Sequence, residues 1–268
     1  TIIDCLETSL EKARVNIRVG DRLEKLSFGS GQFTSKTSRH DAEVWDRVLL
    51  ATGSAREIHD LIRELGHTIT ELAPSLFTFK ISDPRLKGLS GLSFSSAALV
   101  LDAGTIFKQA GPLLITHWGL SGPAVLKLSA WAARELAARK YQAQLTVNFL
   151  PDTPRADLEK ELRAIKQEHA RKKILNFHLR KIPQRFWEKI ISFLEISPDK
   201  LWADASNSEL ELLLRNLLAA EFKVDGKGEF KEEFVTCGGV KLAEIDMRRL
   251  ESKLVPGLFF AGELLDAD

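Results

Sequence analysis

One stretch, residues 155–222, constrains this chain more than any other. It is densely charged, poor in glycine and apolar at helical spacing, with Pro183 and Pro198 as its interruptions. Apolar residues that recur with the period of a helix cannot form one face of a sheet, where the period is two. The flanking sequence has the opposite character. Short β-type runs separated by glycine, proline and aspartate precede it at 68–72, 76–81, 92–100, 105–107 and 144–150, and others follow it at 234–240, 242–245 and 257–261. The order β, helical, β predicts a helical insert within a β module.

Upstream of that module the patterning mixes both types. Residues 2–15 carry apolar positions at helical spacing, and Val15, Ile17 and Val19 then alternate as in a strand. Leu23, Leu26, Phe28 and Phe33 flank the turn Gly29-Ser30-Gly31, the pattern of a hairpin. The run 48–51 meets Thr52, Gly53 and Ser54 as a buried parallel strand meets a tight turn, and residues 58–65 form a short helix capped by Gly66. At 111–139 a strand turns at 119–123 and becomes an amphipathic helix opened by Pro123.

The charge balance bounds the partners. Across 268 residues, 38 lysines and arginines face 37 aspartates and glutamates, so no overall field favours nucleic acid or an anionic membrane, and a small-molecule substrate is expected instead. Cys5 and Cys237 lie far apart without metal-type spacing, which argues against a disulfide framework and a zinc site, and for a reducing, cytoplasmic setting. No apolar run reaches the length of a membrane span. The chain starts at Thr1 and its sole methionine is Met247, so it reads as a fragment; its oligomeric state is left open.

Two motifs point to a ligand. In VLLATGS, residues 48–54, a strand ends in small residues, and a side chain at Gly53 would block close approach to the backbone. An ordinary strand exit explains the same string. In GLFFAGELLDAD, residues 257–268, an apolar strand runs into Gly262 and Glu263, and Asp266 follows as either an acceptor for ligand hydroxyls or a helix cap.

Taken together the two motifs resemble the FAD domain of two-dinucleotide-binding flavoproteins. More closely, the chain is similar to the HI0933-like flavoproteins, in a cyanobacterial and plant-type branch. The resemblance is carried by ATGS (51–54), LGHTI (65–69), PSLFTFKI (74–81), GPLLITHWGLSGPAVLKLSAW (111–131), GKGEFKEEFVTCGGVKLAEID (226–246) and ESKLVPGLFFAGELLDAD (251–268). It implies an α/β fold in which a partial Rossmann-like FAD domain (1–68 and 252–268) holds a β-barrel-like module (69–152 and 232–251), which itself carries a helical subdomain (153–231). It further implies that Ala51, Thr52 and Gly53 lie near pyrophosphate or ribose, the backbone at Leu23 near adenine, and Gly262, Glu263 and Asp266 near phosphate and ribityl groups. The activity implied is that of an FAD-dependent oxidoreductase reduced by NAD(P)H or by substrate.

The family's opening GxGxxG loop and its closing glycine-glycine-aromatic-asparagine segment have no counterpart in this chain. FAD binding by the fragment alone is therefore expected to be weak or absent. The alternatives are a non-catalytic binding or scaffold module, or half of a flavin site completed by another chain.

No residue is assigned a catalytic role. Flavin-facing or substrate-facing candidates are Thr236, Cys237, Gly238 and Gly239, where paired glycines let a flat ring come close. His117, beside Trp118 in THWGLSGPAV, is either an acid-base group or a packed turn residue. The basic residues Arg163, Lys166, Arg171, Lys172 and Lys173 read as a solvated helical face, because nucleic-acid surfaces interleave such charges with aromatics.

Overall fold

The computed structural model describes residues 1–179, 181–228 and 235–266. In chain order the elements are α1 (Ile2–Lys12), β1 (Leu23–Gly29), β2 (Gln32–Thr37), β3 (Glu43–Trp45), β4 (Val48–Leu50), α2 (Arg56–Glu64), β5 (Ala73–Ser75), β6 (Phe79–Lys80), β7 (Ser93–Asp102), β8 (Ile106–Ile115) and β9 (Gly119–Ser121). They continue with α3 (Pro123–Trp131), α4 (Ala133–Ala138), β10 (Ala143–Asn148), α5 (Arg155–Glu168), α6 (Gln184–Phe193), α7 (Asn207–Leu218), β11 (Ala220–Val224), β12 (Gly226–Lys227), β13 (Val235–Cys237), β14 (Ile245–Asp246), β15 (Glu251–Ser252) and β16 (Leu258–Phe260). The result is a mixed α/β chain with several sheets that divides into two compact units, Thr1–Glu71 with the segment from Gly238 onward, and Leu72–Cys237.

The first unit holds two sheets. β1, β2 and β3 form an antiparallel meander whose first turn has Ser30 and Gly31 at φ +52° and +81°, the two left-handed positions of a tight hairpin turn. The second sheet runs β14-β15-β16-β4, and its β16–β4 pair is parallel. Ile58, Leu61 and Ile62 recur on one side of α2 and bury there, and Gly66 at φ +91° ends the helix. Phe33, Ile62, Val240, Leu258, Phe260 and Leu264 are fully buried in this core. Each contributes about 1.5–3 kcal/mol of transfer free energy.

Two expectations change here. Residues 15–19 alternate but form no strand, and Val15, Ile17 and Val19 are exposed, because alternation without a partner strand satisfies no backbone group. Residues 245–252 pair into the sheet of β16, so the segment from Gly238 belongs to the first unit.

The second unit is built on a seven-stranded antiparallel sheet of order β11-β10-β7-β8-β9-β6-β12. The ten-residue strands β7 and β8 lie at its centre, with a bulge between Phe94 and Ala97. Among the described residues the ladder does not close into a barrel, since β11 and β12 are not paired. They are the two ends of the order, yet only Asp225 separates them in sequence, and its N–H donates to Lys80 O at 2.8 Å. The sheet is therefore strongly curled, with its edges joined by one residue. A short sheet of β13 and β5 pairs Cys237 with Ala73.

One large core fills this unit. Phe94, Phe149 and Phe186 pack ring against ring with centroids 4.6–5.1 Å apart, and Trp187 stacks on Trp202 at 6.3 Å. Both indoles are satisfied: Trp187 Nε1 donates to Ile174 O and Trp202 Nε1 to Phe177 O, each at 2.9 Å. α7 starts on a capping box of Ser206 and Glu209. The expected helix at 123–139 breaks at Ala132 into α3 and α4.

Candidate functional site

In the first unit β4 and β16 run side by side in the same direction, in register Val48 with Leu258, Leu49 with Phe259 and Leu50 with Phe260. Ala261 N donates to Leu50 O at 3.0 Å, so the two strands finish together. Each then turns through a glycine in left-handed conformation, Gly53 at φ +63° and Gly262 at φ +72°. A Cβ on either glycine would meet nothing within 4 Å. Ala51, Thr52 and Gly262 are exposed, whereas Gly53, Glu263 and Asp266 are half-buried. The sequence singled out both strand ends, and the fold brings them together at the carboxyl edge of one parallel pair, where open α/β sheets bind ligands. Leu23 is elsewhere: it opens β1, in the three-stranded sheet.

The segment after Gly238 threads between two others. Val240 N donates to Leu264 O at 2.9 Å and Asp266 N to Val240 O at 3.1 Å, while Ile69 bridges Val240 from the other side. Thr70 clamps Gly239, with Thr70 N and Oγ1 donating to Gly239 O at 2.9 and 3.1 Å and Gly239 N donating to Thr70 Oγ1 at 3.0 Å. A Cβ on Gly239, whose φ is +154°, would fall on Leu264 O. The protein's own backbone therefore accounts for that glycine, and it also places Gly239 beside the Gly262–Leu264 turn and Asp266. Thr236 and Cys237 lie in β13 of the second unit, where Cys237 is buried.

Two buried histidines of the first unit escaped the sequence reading. His59, on α2, has no hydrogen-bond partner at either ring nitrogen. Burial, helped by the Arg63 charge, pushes its pKa below the ordinary value, against a weaker pull from Asp60. His67 shares a 2.8 Å hydrogen bond between Nε2 and Ser252 Oγ and packs edge-on against Phe260 at 5.1 Å. Burial lowers its pKa as well, with Glu244 opposing. Leu254 N and Val255 N already donate to Ser252 Oγ, so its hydroxyl hydrogen is left for the imidazole, and His67 is held neutral.

The second unit contains a cleft of about 650 Å³ between the 80–90 segment and the turn at 116–119. His117 is exposed there, with Nδ1 3.0 Å from Ser90 Oγ and its ring 5.8 Å from Trp118. Ile81 N donates to Trp118 O at 2.8 Å, and a Cβ on Gly119 would fall on Phe79 O and Ile81 N, so this turn requires glycine. Lys80 and Lys87 also line the cleft. Each is an isolated lysine in sequence, and only the fold gathers them.

No helix among the described residues is long and apolar enough to cross a membrane, and no cluster of three or more histidine, cysteine, aspartate or glutamate residues that could hold a metal occurs among them.

A family model described as the HI0933-like protein barrel and H2TH domain matches residues 73–235, which is nearly the whole second unit and more than half of the chain. The chain belongs to the HI0933-like family. Relatives of this HI0933-like chain include the ribosomal RNA dihydrouridine synthase of Escherichia coli (strain K12), 28% identical over 277 residues that cover 99% of the chain and 65% of that protein. The 3-dehydro-bile acid delta(4,6)-reductase of Clostridium scindens is 24% identical, over 100% of the chain and 67% of its own length. A ribosomal RNA dihydrouridine synthase of Haemophilus influenzae is 30% identical over 71% of the chain and 44% of that protein. The chain thus spans about two thirds of the length of the first two relatives.

These names overturn the expectation that nucleic acid is not a partner, since two of the relatives are named for ribosomal RNA. The physical reason is that a net charge near zero averages over the whole surface, whereas nucleic acid meets a local patch.

Proposed function

We propose that this HI0933-like chain forms part of a flavin-dependent oxidoreductase that adds hydrogen across a carbon–carbon double bond, with uridine in RNA as its substrate. The observation that carries the reading is the pair of parallel strand ends, β4 and β16, each leaving through a left-handed glycine with open space above it. An extended dinucleotide such as FAD needs such a place, because its phosphates and ribityl chain must lie against backbone.

The residues present fit that group. Ala51, Thr52 and Gly53 would take the pyrophosphate or ribose side, with the Thr52 hydroxyl and backbone N–H groups as donors. Glu263 and Asp266 offer carboxylate acceptors to sugar and ribityl hydroxyls, and the Gly262 backbone admits the chain of the cofactor. The Leu23 backbone is the candidate adenine contact. When bound, FAD supplies two-electron transfer between a reduced nicotinamide and a carbon substrate.

The relatives' names support this chemistry from two sides: one describes making dihydrouridine in ribosomal RNA, the other reducing the delta(4,6) system of a bile acid. Both saturate carbon–carbon bonds. In the net reaction NAD(P)H gives up a hydride equivalent and becomes NAD(P)+, and a proton completes addition across the uridine double bond.

RNA incubated with the protein, FAD and NADPH tests this, with nucleoside mass spectrometry as readout. Dihydrouridine formed with NADPH consumption in equal amount is the expected result. NADPH-independent products, or uridine left intact while a bile-acid enone is reduced, would remove RNA as the substrate. A protein that neither alters flavin absorbance nor consumes NADPH would leave the scaffold reading in its place.

A further inference from the structure

We propose that the cleft beside Trp118 binds an unpaired nucleotide of single-stranded RNA, its base on the aromatic pair Trp118 and His117 and its phosphates at Lys80 and Lys87. This rests on the RNA reading above and names the surface that reading requires.

Proteins that hold single strands combine aromatic faces, on which bases stack, with cations that follow the phosphates. The second unit assembles both at one place. Trp118 is half-buried and meets the His117 ring at 62°, and the Ser90 contact at Nδ1 leaves His117 Nε2 for a ligand. The lining contains two lysines against one carboxylate, Asp83. That carboxylate is already neutralised, since Arg85 Nε and Nη2 donate to it at 2.9 and 2.8 Å. A further cation stands at the rim, where Arg185 Nη2 donates to Gly88 O at 2.6 Å. The volume of about 650 Å³ lies within the range of small-ligand sites.

The turn is also preorganised. Trp118 N donates to Thr116 Oγ1 at 3.3 Å, Thr116 N donates to Gly119 O at 2.9 Å, and Ile81 N holds Trp118 O. An aromatic fixed in this way loses little freedom on binding a base.

The basic helical face is the competing surface, and its charges are largely spent within the protein. Arg163 pairs with Glu159 at 2.8 Å, Lys173 with Asp199 at 2.6 Å, and Lys166 Nζ donates to Ala205 O at 2.5 Å. Arg171 and Lys172 remain exposed, with no aromatic platform among them.

Fluorescence anisotropy of the full chain with fluorescein-labelled oligouridylate RNA decides the matter. Lys87→Ala, at an exposed position, is expected to weaken binding about tenfold and to lower the slope of log affinity against log salt by about 1. Trp118→Ala is expected to weaken it roughly tenfold by loss of stacking, whereas Trp118→Phe keeps most of the affinity and guards against a folding artefact. The double variant Arg171→Glu/Lys172→Glu is expected to bind nearly as the wild type does. Wild-type binding that Lys87→Ala and Trp118→Phe/Ala leave unchanged, or that the helical-face variant abolishes, overturns the cleft while leaving the RNA reading intact. A wild-type chain that binds no RNA overturns both.

Discussion

The two units solve the same problem differently. The second buries a continuous core of aromatic and branched side chains around a curled seven-stranded sheet, and even its buried charge is enclosed: the Arg85 guanidinium lies over the rings of Phe193 and Phe222 at 4.6 and 4.2 Å, while its nitrogens meet Asp83, Asn216 Oδ1 and Glu221 O. The first unit has a smaller core, short strands and much apolar surface left outside, with Ile2, Ile3 and Leu6 of α1 and Leu49 of β4 all well exposed. The lesson is that stability and ligand access are separated: the second unit is packed for rigidity, and the first keeps strand ends and backbone open.

The largest test of that contrast is Arg85→Ala. It strands three acceptors and removes a double stack, so the second unit should lose about 3–5 kcal/mol. Chemical denaturation read at Trp187 and Trp202 measures it, and a loss below about 1 kcal/mol would mean that the charge is not integral to the core.

Next comes a comparison within the first unit. Gly239→Ala drives a Cβ into Leu264 O and should cost about 2–3 kcal/mol. Gly262→Ala meets open space, and its cost is limited to the left-handed strain of about 1–2 kcal/mol. Amide exchange in β16 ranks the two; equal effects would show that the space above Gly262 is not open.

A smaller difference depends on pH. His59 and His67 have folded pKa values below the unfolded 6.5, so the unfolded state binds more protons in acid. Their contribution is complete above about pH 6.5 and declines as pH falls through the window down to their folded values. Exchange protection in α2 and β16 should therefore weaken below pH 6.5 before that of β7 and β8, and His59→Phe should flatten the dependence. Protection that falls first in β7 and β8 would contradict this. The smallest effect belongs to α1, where Ile3→Gln and Leu6→Gln remove exposed side chains and should change stability within about 0.5 kcal/mol by thermal melting.

Much of the local structure was legible because a few residues carry local physics. Ser30-Gly31 and Gly66 mark a turn and a helix end through φ alone, and Pro183 precedes α6 where a helix starts. The alternation at Val15, Ile17 and Val19 misled because strand pattern without a partner has no backbone to pair with. β11 hid behind α7, since Ala220, Phe222 and Val224 alternate only after a long helical run. At the site, both strand ends were visible as apolar runs entering glycine, but their parallel pairing joins distant parts of the chain and came only from resemblance. Gly239 was recognised as special for a different reason from the one the packing provides. His59 and His67 left no trace, since a histidine's burial is decided by the elements that cover it. The Trp118 cleft was half visible: the aromatic pair stood in one string, while Lys80 and Lys87 arrive from another segment.

The central claim is that the ends of β4 and β16 hold a flavin nucleotide, and a titration of FAD into the full chain, followed by visible absorbance, tests it most directly. A weak but saturable spectral change is expected in the wild type, reduced by about tenfold or more in Gly53→Val and Gly262→Val, and unaffected by Arg171→Glu on the helical face. No spectral change in the wild type, or affinities in the two valine variants equal to that of the wild type, would contradict it.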